Sequence, residues 1–550
     1  MEHEKLYRRR LKRLRFVHRR LKRVFNRIST CRGVLVFLAL ISYFFLKGTA
    51  PPLLTYGLLT LFVSLFSLLV IFHNRVSLYT EKIKSLITIN EESVERLEDR
   101  WAEFAWDGSE YCKAENPSLT DLHIFGKNSL FQMVQQVATK KGADTLAGLL
   151  SQHKDFSTLK QRQDAVQELA PSLSFRHRLL QEGRAISSLI DAGQLLKWSQ
   201  TPPVLLNKTG LLVLRRVLLF SSLALFLLYL LAGFPPWFVL SLALQLLLFV
   251  SLAGKLQAAY KPALSTESSF LAYAGMFRAI ERKRVESPFL RELKQKIKIG
   301  GTPLSERMKE LEKINHQLSI CFSMIYPFIN TLLLWDIYFL HKQERWKEDM
   351  RPYLEGCFKA LGTFEALSSL AGLAFDNPEY NYPDIDEKHL PFAAEKLGHP
   401  LIPKGERISN DIEIPEEGAV ALITGSNMSG KSTFIRTVGI TMLLGFSGAP
   451  VPAKRLSARP CQVMTCIQVL DSLRLHVSHF YAEVQGIKRI LDSIFTQGRS
   501  PSCLPVLYLI DEIFTGTNTR ERLLASKGIL LKLTSSRSYG LLTTHDLDLV

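Results

Sequence analysis

A glycine-rich segment at residues 425–432 has the residue types that hold a phosphate group. It reads Gly-Ser-Asn-Met-Ser-Gly-Lys-Ser, in which backbone N–H groups can curl around phosphate, Lys431 can reach the β- and γ-phosphates and Ser432 can bind Mg²⁺. An apolar run at 419–423 precedes it, and helix-forming residues 433–444 follow it, so the segment should open a helix whose N-terminus favours an anion. The pattern predicts a Walker A loop with these binding residues: Gly425, Ser426, Asn427, Met428, Ser429, Gly430, Lys431, Ser432 and Thr433.

Two adjacent carboxylates supply the other half of such a site. The apolar run 506–510 ends in Asp511 and Glu512, about 80 residues after the loop lysine. Asp511 is predicted to hold Mg²⁺, and Glu512 to orient or deprotonate the attacking water. Taken alone, the pattern is equally typical of a buried strand with an acidic end. After a Walker A loop, it predicts a Walker B element and therefore a P-loop ATPase that uses ATP and Mg²⁺.

Residues around these motifs resemble those of the MutS family. Four segments carry the resemblance: Thr424 to Thr433 with Asn427-Met428 inside the loop, Ser478-His479-Phe480-Tyr481-Ala482-Glu483, Asp511-Glu512-Ile513 followed by Gly516-Thr517-Asn518-Thr519, and Thr543-Thr544-His545-Asp546. The resemblance implies an α/β P-loop (ABC-like) ATPase domain at the C-terminal end. The matched part stops just after His545, so we expect the last strands of such a domain to lie beyond the printed sequence.

The family resemblance also implies roles for two further residues and a homodimer. Ser478 would act in trans on the γ-phosphate held by the partner chain, and His545 would sense the γ-phosphate. With Glu512, these are the predicted catalytic residues. Each has a plainer alternative: Ser478 followed by Glu483 fits a helix N-cap, and His545 alone could be a solvent-facing loop residue.

The resemblance extends upstream into a helical region. Asp121-Leu122, Ser129-Leu130 and residues 162–169 are similar to the family's helical core and lever segment. Residues 1–120 leave no room for a mismatch-reading domain, and residues 281–300 are too few for a DNA clamp of the usual size. Dimerisation and ATP hydrolysis are therefore implied, whereas mismatch specificity is not.

Two long apolar runs interrupt this helical region. Residues 33–72 contain one charged residue, Lys47, and residues 217–254 contain none. A proline pair divides each run, at Pro51-Pro52 and Pro235-Pro236, and proline cannot continue a helix. Each run is therefore predicted to form a transmembrane helical hairpin. The arms are short for a span that needs about 20 residues, so re-entrant or buried hairpins are the alternative.

Basic residues flank both hairpins, and by the positive-inside rule this places every large segment in the cytoplasm. The first 30 residues hold twelve Lys and Arg against two Glu, out of a formal net charge of +18. We expect this basic tail to lie on anionic membrane lipid; a nucleic-acid-binding arm is the alternative. The chain is accordingly predicted to be an integral protein of the cytoplasmic (inner) membrane.

The predicted organisation has six parts: a basic membrane-surface tail at 1–32, transmembrane hairpins at 33–72 and 212–254, an all-α MutS-like core and lever at 73–211 and 255–400, and the ATPase domain at 401–550. Helices are expected over Glu91–Trp106, Leu130–His153, Leu159–Leu195 and Leu304–Leu340, the last kinked at Pro327. Seven scattered cysteines indicate neither disulfides nor a zinc site.

Three functions fit this pattern. The leading one is a membrane-tethered MutS-like ATPase that acts on DNA, in repair or recombination, through an ATP-gated dimer. An ABC transporter subunit also joins membrane helices to a P-loop domain, but no Leu-Ser-Gly-Gly-Gln segment occurs. The third is an ATP-driven switch for a membrane protein partner, without DNA, because the basic excess outside the tail is modest.

Overall fold

The computed structural model describes residues 2–47, 51–112, 116–151, 156–184, 191–206, 208–264, 267–426, 428–467, 479–497, 504–514 and 519–545. The chain divides into two compact units. The first unit comprises Met1–Trp101 and Leu180–Ser187, and the second comprises Ala102–Leu179 and Ser188–Val550.

The first unit is built on two long antiparallel helices, α1 (Glu2–Leu46) and α2 (Pro52–Leu97). The chain turns where the sequence predicted, because Pro52 is the first residue of α2, a position at which proline loses no helical hydrogen bond. The predicted boundary between tail and hairpin at residue 32 does not coincide with a helix end, since α1 runs through it. Arg8 pairs with Glu98, and Arg15 lies 2.6 Å from Glu91, so part of the tail's charge is matched by α2.

The second unit begins with a set of helices and one small β-ribbon. Their bounds are: α3 (Pro117–Asp121), α4 (Leu130–Val134), α5 (Lys140–Leu150), α6 (Leu159–Leu169), α7 (Leu173–Gly183, whose end belongs to the first unit), α8 (Gly193–Ser199), α9 (Thr209–Ala232), α10 (Phe238–Leu264), α11 (Glu267–Arg282), α12 (Pro288–Lys296), β1 (Lys298–Ile299), β2 (Thr302–Pro303), α13 (Leu304–Leu318), α14 (Tyr326–Leu333) and α15 (Trp335–Asp376).

The second apolar hairpin consists of α9 and α10. The turn between them starts at Gly233, which has a φ of +67°. Polar side chains join the two helices: the Ser222 and Ser241 hydroxyls lie 2.7 Å apart, and Gln245 donates to the Leu218 carbonyl at 3.0 Å. Within the described residues, α1, α2, α9 and α10 are long and apolar enough to cross a membrane, by length and composition.

The region predicted as one kinked helix over Leu304–Leu340 is three helices instead. Helix α13 ends at Leu318, and α14 starts after a short 3₁₀ turn. Pro327 lies in the first turn of α14 and causes no kink. The break before α15 falls at Leu334, whose φ is +46°. The sequence pattern missed this break because nothing in a leucine predicts a left-handed backbone.

Helix α15 forms the core of the helical region, and its second half is almost entirely buried. Gly362 lies against α5 so closely that a Cβ would be 2.7 Å from the Lys141 carbonyl oxygen. One turn further, the Glu365 carboxyl accepts hydrogen bonds from the Ala138 N–H at 2.7 Å and from the N–H and hydroxyl of Thr139. These bonds satisfy donors just before and at the N-cap of α5 and fix it on α15.

The C-terminal part of the second unit contains two sheets. Its elements are: β3 (Asp384–Ile385), β4 (Phe392–Leu397), β5 (Asn410–Ile414), β6 (Val420–Thr424), α16 (Lys431–Phe446), β7 (Arg455–Ala458), β8 (Gln462–Cys466), α17 (His479–Gln497), β9 (Val506–Ile510), α18 (Thr519–Thr534) and β10 (Tyr539–Thr544). A mixed sheet has the order β3-β7-β4-β5, and a fully parallel sheet has the order β6-β10-β9-β8. Every residue of β9 and β10 is buried, as expected for the centre of a parallel sheet covered by helices.

We predict that Glu365 makes stability depend on pH. Burial raises the pKa of its carboxyl to about 7 from the ordinary 4.5. The folded chain therefore holds this proton more tightly than the unfolded chain, and the resulting stability is lost as the pH rises through 7. Between about pH 5 and pH 8, the free energy of unfolding of the wild type should fall relative to Glu365→Gln by about 2–3 kcal/mol.

The measurement is unfolding of the full chain in detergent micelles, followed by circular dichroism at both pH values. Glu355→Gln is the matched control, because Glu355 is exposed on the same helix. An equal pH dependence in Glu365→Gln and wild type would show that Glu365 is not protonated on folding.

Candidate functional site

The loop predicted to bind phosphate connects β6 to α16. It leaves the sheet after Thr424 and enters the helix at Lys431. Its backbone uses conformations that favour glycine: φ is +154° at Gly425 and +92° at Gly430. No side chain of a described residue caps the first turn of α16, which leaves that turn suited to an anion. Asn427, one of the predicted binding residues, lies outside the described residues.

The Lys431 side chain folds back across this loop. It is only 7% exposed, and its Nζ donates to the carbonyl oxygens of Gly425 and Ser426, both at 2.9 Å. The same Nζ lies 3.4 Å from His545 Nε2. The ammonium group is thus held at the mouth of the loop, at the level where β10 ends.

The two acidic residues follow β9, and a threonine from the neighbouring strand bonds the carboxylate of Asp511 and the backbone of Glu512. The Thr543 hydroxyl donates to Asp511 Oδ1 at 2.6 Å and accepts from the Glu512 N–H at 2.8 Å. Glu512 has a φ of +50°, so this bond fixes a backbone turn that few residues adopt. The sequence motif contained Thr543 but gave it no role. Its place at the end of a strand parallel to β9 was the signal that could have found it.

His545 lies between Lys431 and Glu512. Its Nε2 lies 2.6 Å from Glu512 Oε1, so Lys431, His545 and Glu512 form a continuous row across the ends of three strands. Asp511 joins this row through Thr543. In the described part of the chain, no hydrogen bond links Asp511 directly to Ser432, the other predicted magnesium ligand.

Ser478, the third predicted catalytic residue, lies outside the described residues. The chain is described again from His479, where α17 begins. At the start of this helix, the Phe480 ring lies 5.8 Å from the ring of Phe514, just after the two carboxylates. The segment that follows Ser478 is therefore next to the candidate site of its own chain. Residues 516–518 of the resembling motif also lie outside the described residues.

Residues of the helical region form hydrogen bonds with the strand and helix that support the candidate site. Arg436 of α16 donates to the Asp121 carbonyl at 3.1 Å, and the Asp121 carboxylate accepts from the Thr465 hydroxyl at 2.6 Å. Arg162 donates to the Phe446 carbonyl at the other end of α16, at 3.0 Å. Asp121 and Arg162 belong to the upstream segments that resemble the MutS family, and these contacts give that resemblance a physical reason.

The residues present fit a nucleoside triphosphate with Mg²⁺. A glycine-bent loop, an uncapped helix N-terminus and a lysine suit phosphate oxygens. No group of three or more His, Cys, Asp or Glu that could hold a metal by itself occurs among the described residues. The carboxylate of Asp511, at the same edge of the sheet as the loop, suits Mg²⁺, which proteins commonly hold through one or two carboxylates together with substrate phosphates.

Comparison with known proteins identifies relatives of this region. Residues 421–550 match the family MutS domain V. The chain is 27% identical over 306 residues to the MutS protein homolog 4 of Mus musculus, which covers 53% of this chain and 29% of the relative. It is 34% identical over 171 residues to the DNA mismatch repair protein MutS of Clostridium botulinum (strain Okra / Type B1), which covers 30% of this chain and 17% of the relative. The chain therefore spans less than a third of the length of these relatives.

We predict that Thr543→Val lowers ATP hydrolysis about tenfold or more while ATP binding changes little. Valine keeps the shape of threonine but removes the hydroxyl that bonds Asp511 and the Glu512 N–H, and a hydrogen bond to a charged group contributes about 1.5–3 kcal/mol. Steady-state phosphate release and equilibrium binding of a fluorescent ATP analogue measure the two effects.

Thr441→Val is the matched control. Thr441 is equally buried, but among the described residues its hydroxyl bonds only a carbonyl of its own helix, that of Thr437. If Thr543→Val hydrolyses ATP as fast as Thr441→Val, the threonine does not organise the carboxylates.

Proposed function

The chain belongs to the MutS family, and we propose that it is a membrane-anchored MutS-like ATPase that hydrolyses ATP at a dimer interface and couples this to DNA binding. One observation carries the proposal: Lys431, His545 and Glu512 meet in a row at the ends of three parallel strands. The loop before Lys431 and the acid pair after β9 would be the two halves of a P-loop site, and their nearness supports this proposal.

Each residue of this row has a distinct task in the proposed reaction. Residues 425–433 would bind the phosphates of ATP, with Lys431 neutralising the charge of the β- and γ-phosphates. Asp511 and Ser432 would hold Mg²⁺, which would supply further charge neutralisation when bound. Glu512 would orient a water and accept its proton. His545, already in contact with Glu512, would be placed to report the presence of a γ-phosphate to β10.

We expect Glu512→Gln to retain binding of ATP and Mg²⁺ but to lose turnover by about a hundredfold or more, because a glutamine cannot accept the proton. Lys431→Ala should instead weaken ATP binding itself, since the ammonium charge is lost. Phosphate release and binding of a fluorescent ATP analogue by the full chain in micelles distinguish the two effects.

Glu413→Gln serves as the control, because Glu413 is exposed on β5 in the other sheet. Wild-type turnover in Glu512→Gln would refute the assignment of Glu512. Unchanged ATP affinity in Lys431→Ala would refute the assignment of the loop.

The proposed site is completed by a second copy of the chain. Ser478 would reach the γ-phosphate bound by the partner, as the family resemblance implies. Within its own chain, the start of α17 lies beside the carboxylates, so the role in trans rests on the family resemblance alone. A plainer role is also compatible with the sequence, because Ser478 directly precedes α17 and could serve as its N-cap.

Membrane attachment is supported by the two helical hairpins. Their helices, α1 with α2 and α9 with α10, are long enough and apolar enough to cross a bilayer, and their apolar side chains point outwards, as at Phe220 and Leu247. Their basic flanks would place the ATPase domain and the helical region in the cytoplasm, at the inner membrane.

A second candidate is an ATP-driven switch that acts on a membrane protein partner without DNA. It is favoured by the ion pairs in the first unit, where Arg8 and Arg15 of the basic tail face Glu98 and Glu91. Those arginines are thereby less available to a nucleic acid than the sequence implied. Mismatch specificity is not part of either proposal.

A further inference from the structure

Residues 319–334 form an apolar surface that the proposed function does not use. The chain has no Asp, Glu, Lys or Arg from residue 314 to residue 335. On the 3₁₀ turn and α14, side chains that a soluble core would bury are instead exposed. Met324 is 97% exposed, Phe322 73% and Phe328 72%, and Ile325, Leu332 and Leu333 are exposed as well. An apolar patch of this kind marks contact with a membrane or a partner.

The other face of α14 is fixed by polar contacts, so the direction of the exposed face is defined. The Tyr326 hydroxyl donates to the buried Asp336 carboxylate at 2.5 Å and accepts from Gln257 of α10 at 3.2 Å. The Asn330 side chain accepts from the Asp336 N–H at 3.0 Å. These bonds hold one side of α14 inwards and leave Phe328 and its apolar neighbours outwards.

The exposed apolar face of α14 adjoins the exposed apolar surface of the second hairpin, α9 and α10. Helix α14 packs against α10 near its middle, where the Tyr326 ring meets Phe249 edge-on with centroids 5.5 Å apart. Arg215 of α9 donates to the carbonyl oxygens of Leu333 and Leu334, both at 3.1 Å. Helix α14 thus lies at the basic end of the hairpin, which the positive-inside rule assigns to the cytoplasmic leaflet.

The length of α14 determines whether it can span a bilayer. Helix α14 has 8 residues and is about 12 Å long, less than half of the hydrocarbon thickness of about 30 Å. It cannot span the membrane, but it can lie in the headgroup and upper acyl region, as short amphipathic helices do. A cation–π contact of Lys342 with Tyr338, 4.5 Å from the ring centroid, adds the basic and aromatic residues typical of that region.

We propose that residues 319–334 are a third membrane-contacting element, which inserts its apolar face into the cytoplasmic leaflet beside α9 and α10. This inference rests on the proposed membrane attachment of the chain. A second copy of the chain could cover the same face, but continuity with the apolar surface of the hairpin and the basic residues at its edge favour lipid.

The proposal gives the bilayer a direct connection to the helical region. Trp335, the first residue of α15, follows α14 after a single left-handed residue. A lipid-dependent shift of α14 would therefore act on the first turn of α15. The same helix carries Glu365 further along, where it contacts α5.

The test uses the full chain in phosphatidylcholine–phosphatidylglycerol vesicles, with the exposed native cysteines Cys31 and Cys112, together with Cys321 and Cys503, replaced by serine. An environment-sensitive fluorophore is attached at Phe328→Cys or, as a second position, Met324→Cys. Phe226→Cys within α9 reports hairpin insertion, and Leu524→Cys, exposed on α18, is the control outside the membrane. Retained ATP hydrolysis shows that each labelled chain is folded.

We expect the probes at 328 and 324 to shift to the blue and to lose most of their emission to lipids with a nitroxide near the headgroup. The probe at 226 should respond to a nitroxide near the chain end, and the probe at 524 to neither. Quenching at 226 without quenching at 328 and 324 would overturn this inference alone. No quenching at any position would overturn the membrane attachment as well. A blue shift at 328 without lipid quenching, together with cross-linking between copies, would assign the surface to a protein interface and overturn the inference.

Discussion

The parallel pairing of β6, β10 and β9 is the constraint on which the candidate site depends. Thr544 of β10 pairs with Thr424 of β6, and Leu542 pairs with Ile510 of β9, so the three strands end at one edge. The residues that follow them are the loop with Lys431, the acid pair and His545. The close fit is visible at Gly540, where a Cβ would lie 2.0 Å from the Tyr508 carbonyl oxygen. A side chain there would push β10 from β9 and separate the histidine from the glutamate.

Motifs and apolar runs in the sequence were sufficient to predict the strand before the carboxylates and the family resemblance. The strand before the carboxylates was predicted at 506–510 and is found at Val506–Ile510, and the predicted MutS resemblance is confirmed by the domain match at 421–550. The bridging role of Thr543 and the left-handed break at Leu334 could not be read in this way. The motif around His545 contains Thr543 but does not name its partners on β9, and no pattern around Leu334 predicts a left-handed backbone.

Helix α15 connects the region of the candidate site with the apolar helices of the second unit. Its 42 residues extend about 63 Å. The buried Asp336, beside α10 and α14, lies near its start, and the buried Glu365, beside α5, lies in its second half. Helix α6 and the segment around Asp121 then contact α16, the helix that begins with Lys431. A change at the loop before Lys431 can therefore reach α9 and α10 through elements that pack on one another, which is what the proposed ATP-driven switch or gate requires.

The central claim is that one working ATP site is built from two chains. Mixing a Ser478→Ala chain with a Lys431→Ala chain tests it most directly, with hydrolysis measured on mixed dimers isolated through two different affinity tags. Neither variant alone should turn over ATP at an appreciable rate. The isolated mixed dimers should recover about half of the wild-type rate, because each of them holds one intact site out of two. Mixed dimers that form but show no recovery would contradict the account and leave Ser478 as a helix cap within its own chain.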